Sequence, residues 1–272
     1  MHDYTITFAT LNCLDYTRTC LDSLWQAGVP EERVVVVDNA SRDGTVDYLR
    51  ASGLPHVVFN RENLSCGAAW NQGILARQSE WTIVMNNDLV VTEGFAQGLI
   101  DFALQRGLLM ASPAMVEGEL DYDFKGFARE ASRKMGQASR LGSSHAVCMC
   151  IHWSAFMRAG FFRAEPRLLG FEDAVFFNAL RAQGVAHGTT GSVWLHHFGS
   201  VTQEHMKLER GIASSDVLVK VNDRKVLNQS WLERKLLRHR LKREQRTWRE
   251  QELLAHGMTL HGLRRGQQFE WI

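Results

Sequence analysis

No apolar run in this 272-residue sequence approaches the roughly 18 residues that a bilayer-spanning helix needs. Net charge is nearly absent too: 31 Lys and Arg against 30 Asp and Glu leave +1. No global field therefore selects nucleic acid or a membrane surface, and any such preference has to come from a local patch; nucleic acid is not an expected partner. Cysteine is sparse, and its five copies are an odd number, which does not suit a disulfide framework and fits a reducing compartment. The N-terminus has no basic stretch and runs straight into strand-like residues, so no signal peptide is expected. Internal repeats, low-complexity segments and the Gly-Lys-Ser/Thr element of a P-loop are missing as well. A cytoplasmic protein is the default expectation. What is present is a 45% hydrophobic complement, enough for one large α/β domain or two abutting subdomains.

Strand and helix patterns alternate from the start. Tyr4 to Ala9 alternates β-formers with polar residues and enters the loop Thr10-Leu11-Asn12. Asp15 to Ala27 places Leu21, Leu24 and Trp25 at helical spacing, with Gly28 as a stop. Val34 to Val37 is a β-branched run of the kind buried on both faces, ending at Asp38. Ser41 to Gly44 is turn chemistry ahead of a helix to about Ser52. His56 to Asn60, Cys66 to Arg77 and Trp81 to Met85 continue as strand, Ala-rich helix and strand. This order predicts a parallel sheet covered by helices, with ligands off the carboxyl ends of the strands. Asn12, Asp38, Asn60 and Asp88 fall near those ends. After a helix from Glu93 to Gln105 and a strand ending at Pro113, the stretch from Met115 to Ser144 reads as a long polar loop. Ala146 to Ile151 reads as a strand, Ala174 to Gln183 as a helix, Val185 to Leu195 as a strand, and Asn228 to about His256 as a basic helix.

Several residues could carry chemistry, each with a plainer structural role beside it. Asp38 can accept hydrogen bonds from a base or ribose, or simply cap the next helix as an Asx turn. Asn63 to Gly73 combines polar with small residues at a helix start. That suits either phosphate approach or close helix–sheet packing through Gly67, Ala69 and Gly73. Asn86-Asn87-Asp88 can hold a hard cation that also binds phosphate oxygens, or form a turn. Glu172-Asp173 can supply a general base, or cap the helix that follows. His196-His197 ends a strand, where alternation lets one imidazole face the cleft. Cys148, Cys150 and His152 share a strand face without a partner cluster at zinc-site spacing, and read as buried free cysteines.

The order of these pieces resembles the inverting family 2 glycosyltransferases of the GT-A fold, from about Thr5 to Thr202. Val36 to Thr45 is similar to the family's VDNxSxDGT signature, and Thr10-Leu11-Asn12 to its first nucleotide loop. Asn63 to Gly73 resembles NxGFAxAxNxG, with Ser65 and Cys66 in place of Gly and Phe. Asn86-Asn87-Asp88 stands at the DXD metal motif, with Asn86 in place of its first Asp. Gly170-Phe171-Glu172-Asp173 resembles the ED catalytic motif, and His197 to Thr202 the HxxSxT/S element. The resemblance implies a Rossmann-like, mostly parallel central sheet flanked by helices. It implies a catalytic domain over 1–225, with a nucleotide-sugar half (1–113) and an acceptor half (114–225); the residues beyond it read as a basic helical extension (226–272). It implies Asp173 as the base with Glu172 orienting the acceptor or a donor hydroxyl. Thr10, Asn12, Asp38, Asn39, Asn63, Gly67, Asn71 and Asn87 would hold the nucleotide sugar. Asp88 with His197, or else His196, would hold Mn²⁺ or Mg²⁺.

The expected activity is metal-dependent transfer of a hexosyl or deoxyhexosyl group, with inversion, from a nucleotide-diphosphate sugar. The acceptor would be a glycan or lipid-linked hydroxyl in bacterial surface polysaccharide synthesis, as in rhamnosyltransferase-like members. A sugar nucleotidyltransferase and a non-catalytic nucleotide-sugar-binding module are the alternatives. In the basic helix, Trp231, Leu237, Leu241 and Trp248 lie close to one face, while Arg234, Lys235, Arg238, Lys242 and Arg246 dominate the rest. Such a helix packs on the catalytic domain, self-associates, or holds the protein peripherally on the inner face of the cell membrane.

Overall fold

The central strand β1 (Tyr4–Thr10) has parallel neighbours on both sides, β2 (Val34–Asp38) and β4 (Trp81–Met85), and β3 (Val57–Phe59) extends the sheet beyond β2. In this computed structural model the described residues are 2–164, 172–199 and 230–272. The alternation of β1 sorts its side chains between two cores. Ile6 and Phe8 join Val34, Val36, Ile83 and Met85 under α1 (Leu14–Gln26) and α4 (Phe95–Arg106), which contribute Leu21, Leu24, Phe95 and Leu99. On the opposite face Val84 meets Trp70 and Ile74 of α3 (Cys66–Ala76), with α6 (Trp153–Ala159) and α7 (Glu172–Ala182) packed beside it. A side chain at Gly73 would run into Thr7, so α3 lies on β1 at a distance that only glycine allows. The short helix α2 (Thr45–Ala51) follows β2.

Past β4 the sheet becomes mixed, in the order β11 (Gln268–Trp271), β10 (His261–Arg265), β6 (Met110–Gly118), β8 (Cys148–His152), β4, β1, β2, β3. β8 (Cys148–His152) runs antiparallel between β4 and β6 (Met110–Gly118). β9 (His187–His197) pairs parallel with β6 and antiparallel with the short strands β5 (Leu89–Val90) and β7 (Ser139–Leu141). Cys148 and Cys150 are buried free thiols, as the sequence suggested.

Three expectations need correction. The 115–144 stretch is not a loop: β6 runs past Pro113 to Gly118, and helix α5 spans Phe124–Met135. Asp123 caps that helix by accepting from the Gly126 N–H at 3.0 Å. Its buried stripe is Phe124, Ala128, Ala131 and Met135, two of them alanines, which the surrounding Lys and Arg hide from a hydrophobicity count. Secondly, the strand read as Val185 to Leu195 begins at His187 and includes both His196 and His197. Thirdly, the C-terminal segment is not all helix. After α8 (Trp231–His256), β10 (His261–Arg265) and β11 (Gln268–Trp271) form a hairpin, and β10 adds to β6 in parallel. Arg264 is the reason this strand does not look apolar. It is buried between the Tyr122 and Phe269 rings, 5.3 and 4.6 Å from their centroids, with its Nε donating to Asp121 at 2.6 Å.

Helix α8 starts with a capping box between Ser230 and Glu233 and stops at Gly257 in the left-handed conformation. It is tied to the body near its end. Arg140 donates through Nε and Nη2 to the two Glu252 oxygens, at 2.8 and 2.7 Å, and Glu252 also accepts the Leu260 N–H at 2.9 Å. Leu237, Leu241 and Trp248 are half-buried, whereas Trp231, Leu232 and Leu236 are exposed. No helix among the described residues is long and apolar enough to cross a membrane.

Candidate functional site

Parallel strands that end together bring their following loops together, and here β1, β2 and β4 deliver Thr10, Asp38 and Asn86 to one edge of the sheet. Asn12 and Cys13 take left-handed backbone angles, φ 57° and 59°, which turn the β1 loop toward the β2 loop. The Asn12 N–H donates to Ser41 Oγ and the Arg42 N–H to Asn12 Oδ1, both at 2.7 Å. Asp38 is wholly buried between them. Its Oδ2 accepts the Ser41 N–H at 3.1 Å, while Oδ1 has no hydrogen-bond partner among the described residues. A buried carboxylate oxygen left in that state calls for a donor, and a nucleotide base or ribose carries one.

The other expected nucleotide residues hold this edge in shape. Asn39 donates to Asn63 Oδ1 at 2.9 Å and to the Ser65 carbonyl at 3.3 Å, and accepts from Asn60 Nδ2 and the Leu64 N–H at 3.1 and 3.0 Å. Asn63 also accepts the Ser65 N–H at 3.0 Å. Asn87 donates to the hydroxyls of Thr10 and Thr17 at 3.3 and 3.1 Å, and those hydroxyls lie 2.8 Å apart. Asn71 is latched at both ends of its amide to the Phe162 backbone, at 2.7 and 3.0 Å, which fixes α3 to the segment that follows α6. Ser65 stands where the family pattern has Gly and has φ 85° and ψ 161°, a conformation that strains a side chain by about 1–3 kcal/mol.

Gly67 joins this edge to the acidic pair. A Cβ there would lie 2.6 Å from the Arg163 carbonyl oxygen and 3.0 Å from Glu172 Cγ, so the first turn of α3 rests against the first turn of α7. Glu172 is buried and Asp173 partly so. Burial raises the Asp173 pKa, against the Ala174 N–H that donates to its Oδ1 at 2.7 Å. Gly170 and Phe171 of the motif lie outside the described residues, as do Ser200, Val201 and Thr202 after the histidines and the 225/226 boundary.

The two histidines go to different places. His196 is wholly buried among Tyr122, Phe124 and Phe198, with the Tyr122 hydroxyl 3.0 Å from its Nδ1. Burial pulls its pKa down to about 4. His197 meets Asp88 instead: Nε2 is 3.4 Å from Asp88 Oδ1 and Nδ1 is 3.4 Å from Glu117 Oε2. Asn86 Nδ2 is 3.5 Å from the same Nε2. Burial would lower the pKa of this imidazole, but the two carboxylates reverse that and bring it to about 9. Among the described residues no group of three or more His, Cys, Asp or Glu is arranged to hold a metal ion. Asp88 and His197 offer two donors, an oxygen and a nitrogen, and a hard cation on such a site takes its remaining ligands from phosphate and water. The donor chemistry therefore fits Mn²⁺ or Mg²⁺ on a diphosphate. Glu117 was not among the expected site residues, and only the β6–β9 register, which sets it opposite His197, could have pointed to it.

Residues 5–164 match the family model described as Glycosyl transferase family 2. No curated protein matches the chain. Among solved structures, the mannosyltransferase PcManGT from Pyrobaculum calidifontis, in complex with GDP-Man and Mn²⁺, is 16% identical at a TM-score of 0.57, over 94% of this chain and 86% of that one. S. aureus TarS 1-349 is 15% identical at a TM-score of 0.55, over 82% of this chain and 69% of that one. GalNAc-T7 with UDP, GalNAc and Mn²⁺ is 12% identical at a TM-score of 0.55, and there 72% of this chain covers 43% of the other, so the match spans less than half of that protein. These likenesses bear out the α/β GT-A architecture that the sequence motifs implied, and α8 is the C-terminal helix read from the chain beyond them.

Proposed function

Because the chain belongs to glycosyl transferase family 2, we propose that it moves a sugar from a nucleotide-diphosphate donor to a hydroxyl group, with inversion at the anomeric carbon. The observation that carries this is the Asp38 oxygen buried without a partner at the sheet edge, beside loops held by Asn12, Asn39, Asn63 and Asn87. Asp38 accepts from the base. Asp173 takes the acceptor proton as the oxygen attacks, and Glu172, packed on Gly67, orients the acceptor or a donor hydroxyl. A bound Mn²⁺ or Mg²⁺ on Asp88 and His197 would neutralise the charge that develops on the leaving diphosphate. The acceptor is a glycan or a lipid-linked acceptor in bacterial surface polysaccharide synthesis, and the catalytic domain covers 1–225.

The test is a thermal-shift panel of UDP-, GDP-, dTDP- and CMP-sugars, with and without Mn²⁺. One nucleotide at about 100 times its Kd should stabilise the fold by about 2.7 kcal/mol, roughly 5–10 °C for a domain of this size, and more with Mn²⁺ than with EDTA. No shift with any of the four sinks the assignment. Pyrophosphate release from a nucleoside triphosphate would favour the nucleotidyltransferase.

Helix α8 extends this proposal to the site of action, the inner face of the cell membrane. Between Trp231 and Glu250 it carries eight Lys and Arg against three Glu, and its first turns expose Trp231, Leu232 and Leu236. Exposed apolar residues among cations suit an anionic bilayer surface, each cation near it contributing on the order of 1 kcal/mol. The full chain should co-sediment with anionic liposomes at low salt and be released by salt. Replacing Trp231, Leu232 and Leu236 with Ser should weaken this at least ten-fold. Binding that ignores both salt and substitution, or no binding at low salt, leaves α8 as a packing or self-association helix.

A further inference from the structure

Among the described residues, Glu117 is an acidic group near the Asp88–His197 pair to which neither the family motifs nor the sequence pattern assigns a role. It is the penultimate residue of β6, opposite His197 on β9 and opposite Leu263 on β10. Its Oε2 lies 3.4 Å from His197 Nδ1 and 3.8 Å from His261 Nε2. The backbone behind it is also fixed. Gly118 has φ 124°, and a Cβ there would run into the Arg264 carbonyl oxygen, so β10 presses on the end of β6 where Glu117 sits.

We propose that Glu117 is a positioning residue for the cation pair, held in place by the C-terminal strand; this rests on the assignment of Asp88 and His197 as the cation's protein ligands. A ligating imidazole must turn one nitrogen's lone pair to the metal, and the other nitrogen's N–H needs an acceptor to fix the tautomer and the ring plane. At His197 the geometry divides these roles. Nε2 faces Asp88, and Nδ1 faces Glu117. Residues 5–164 supply Asp88 and Glu117, and β9 supplies His197. His261 and the contact at Gly118 come from a hairpin far outside the family match. The C-terminal segment thereby supports the cation site from behind Glu117.

The experiment measures Mn²⁺ affinity directly, by electron paramagnetic resonance of free Mn²⁺ in the presence of UDP or GDP, and measures affinity for each nucleotide in EDTA. Glu117→Leu should weaken Mn²⁺ by about 10–100-fold, the range for loss of such an outer partner, and leave nucleotide affinity in EDTA unchanged. Glu117→Gln keeps an acceptor oxygen within reach of Nδ1 and should stay within about five-fold of the wild type. Should the Leu variant fail to fold, Glu117→Ser, too short to reach the imidazole, carries the same expectation. Mn²⁺ affinity unchanged in the Leu or Ser variant overturns the proposal, and so does an equal loss in the Gln variant, which would make Glu117 a direct ligand through its charge. A wild type that takes up no Mn²⁺ with either nucleotide overturns the cation assignment itself, a result distinct from the other two.

Discussion

Asp173→Asn is expected to lower turnover by roughly 10²–10⁴-fold, the usual contribution of a general base, with nucleotide affinity within a few-fold of the wild type. The amide is isosteric and can still accept the Ala174 N–H at Oδ1, so the helix start survives while the basic oxygen is lost. Burial raises the Asp173 pKa. The active form is the deprotonated one, so a raised pKa moves the acidic limb of the pH–rate profile upward. Activity should therefore fall with acid at a pH above the ordinary carboxylate value of about 4, and the Asn variant should lose that limb. Steady-state transfer to an acceptor hydroxyl, measured from pH 4 to 9, checks both points. Turnover within a few-fold of the wild type would remove Asp173 from the role of base.

The largest effect expected on stability is at Glu252. Its carboxylate takes both Arg140 donors and the Leu260 N–H, with both side chains mostly shielded from water (13% and 8% exposed). Removing one partner of such a pair leaves a buried charge without compensation, a cost of about 3–5 kcal/mol. Glu252→Ala should then lower Tm by roughly 10 °C, and Arg140→Ala by a similar amount. The double variant should be less destabilised than the sum, since each substitution removes the same pair. Calorimetry of the three variants measures this. A loss below about 1 kcal/mol in both single variants would mean that α8 and the hairpin are docked chiefly by Leu260 and Trp248.

The difference between what the sequence disclosed and what it hid is physical. Val34 to Val37 is legible because a strand buried on both faces has no polar choice to make, and the loops after β1, β2 and β4 are legible because polar residues there interrupt apolar runs. Helix α5 was hidden because alanine fills two of its four core positions. The terminal hairpin was hidden because Arg264 fills a core position by stacking and pairing. In the candidate site, Asp38, Asp88, Glu172, Asp173 and His197 are the residues that the order of the motifs singles out. That the amides of Asn39, Asn71 and Asn87 bind other parts of the protein could not, because their partners are 24, 91 and 77 residues away in sequence. The separate surroundings of His196 and His197 follow from strand alternation, but which imidazole meets Asp88 depends on the register of β5 on β9.

The hairpin also decides what the sheet shows to other molecules. Without β10, the last four residues of β6, Met115 to Gly118, would present unpaired N–H and C=O groups on that side, a template on which strands of other chains can grow. With it, the outermost strand on that side is β11, four residues long. Gln268 and Glu270 point outward, while Phe269 and Trp271 stack inward at 5.6 Å. A strand this short, with a carboxylate on its open face, is a poor nucleus for edge-to-edge aggregation. The segment that braces Glu117 therefore also shortens the open strand edge on its own side of the sheet.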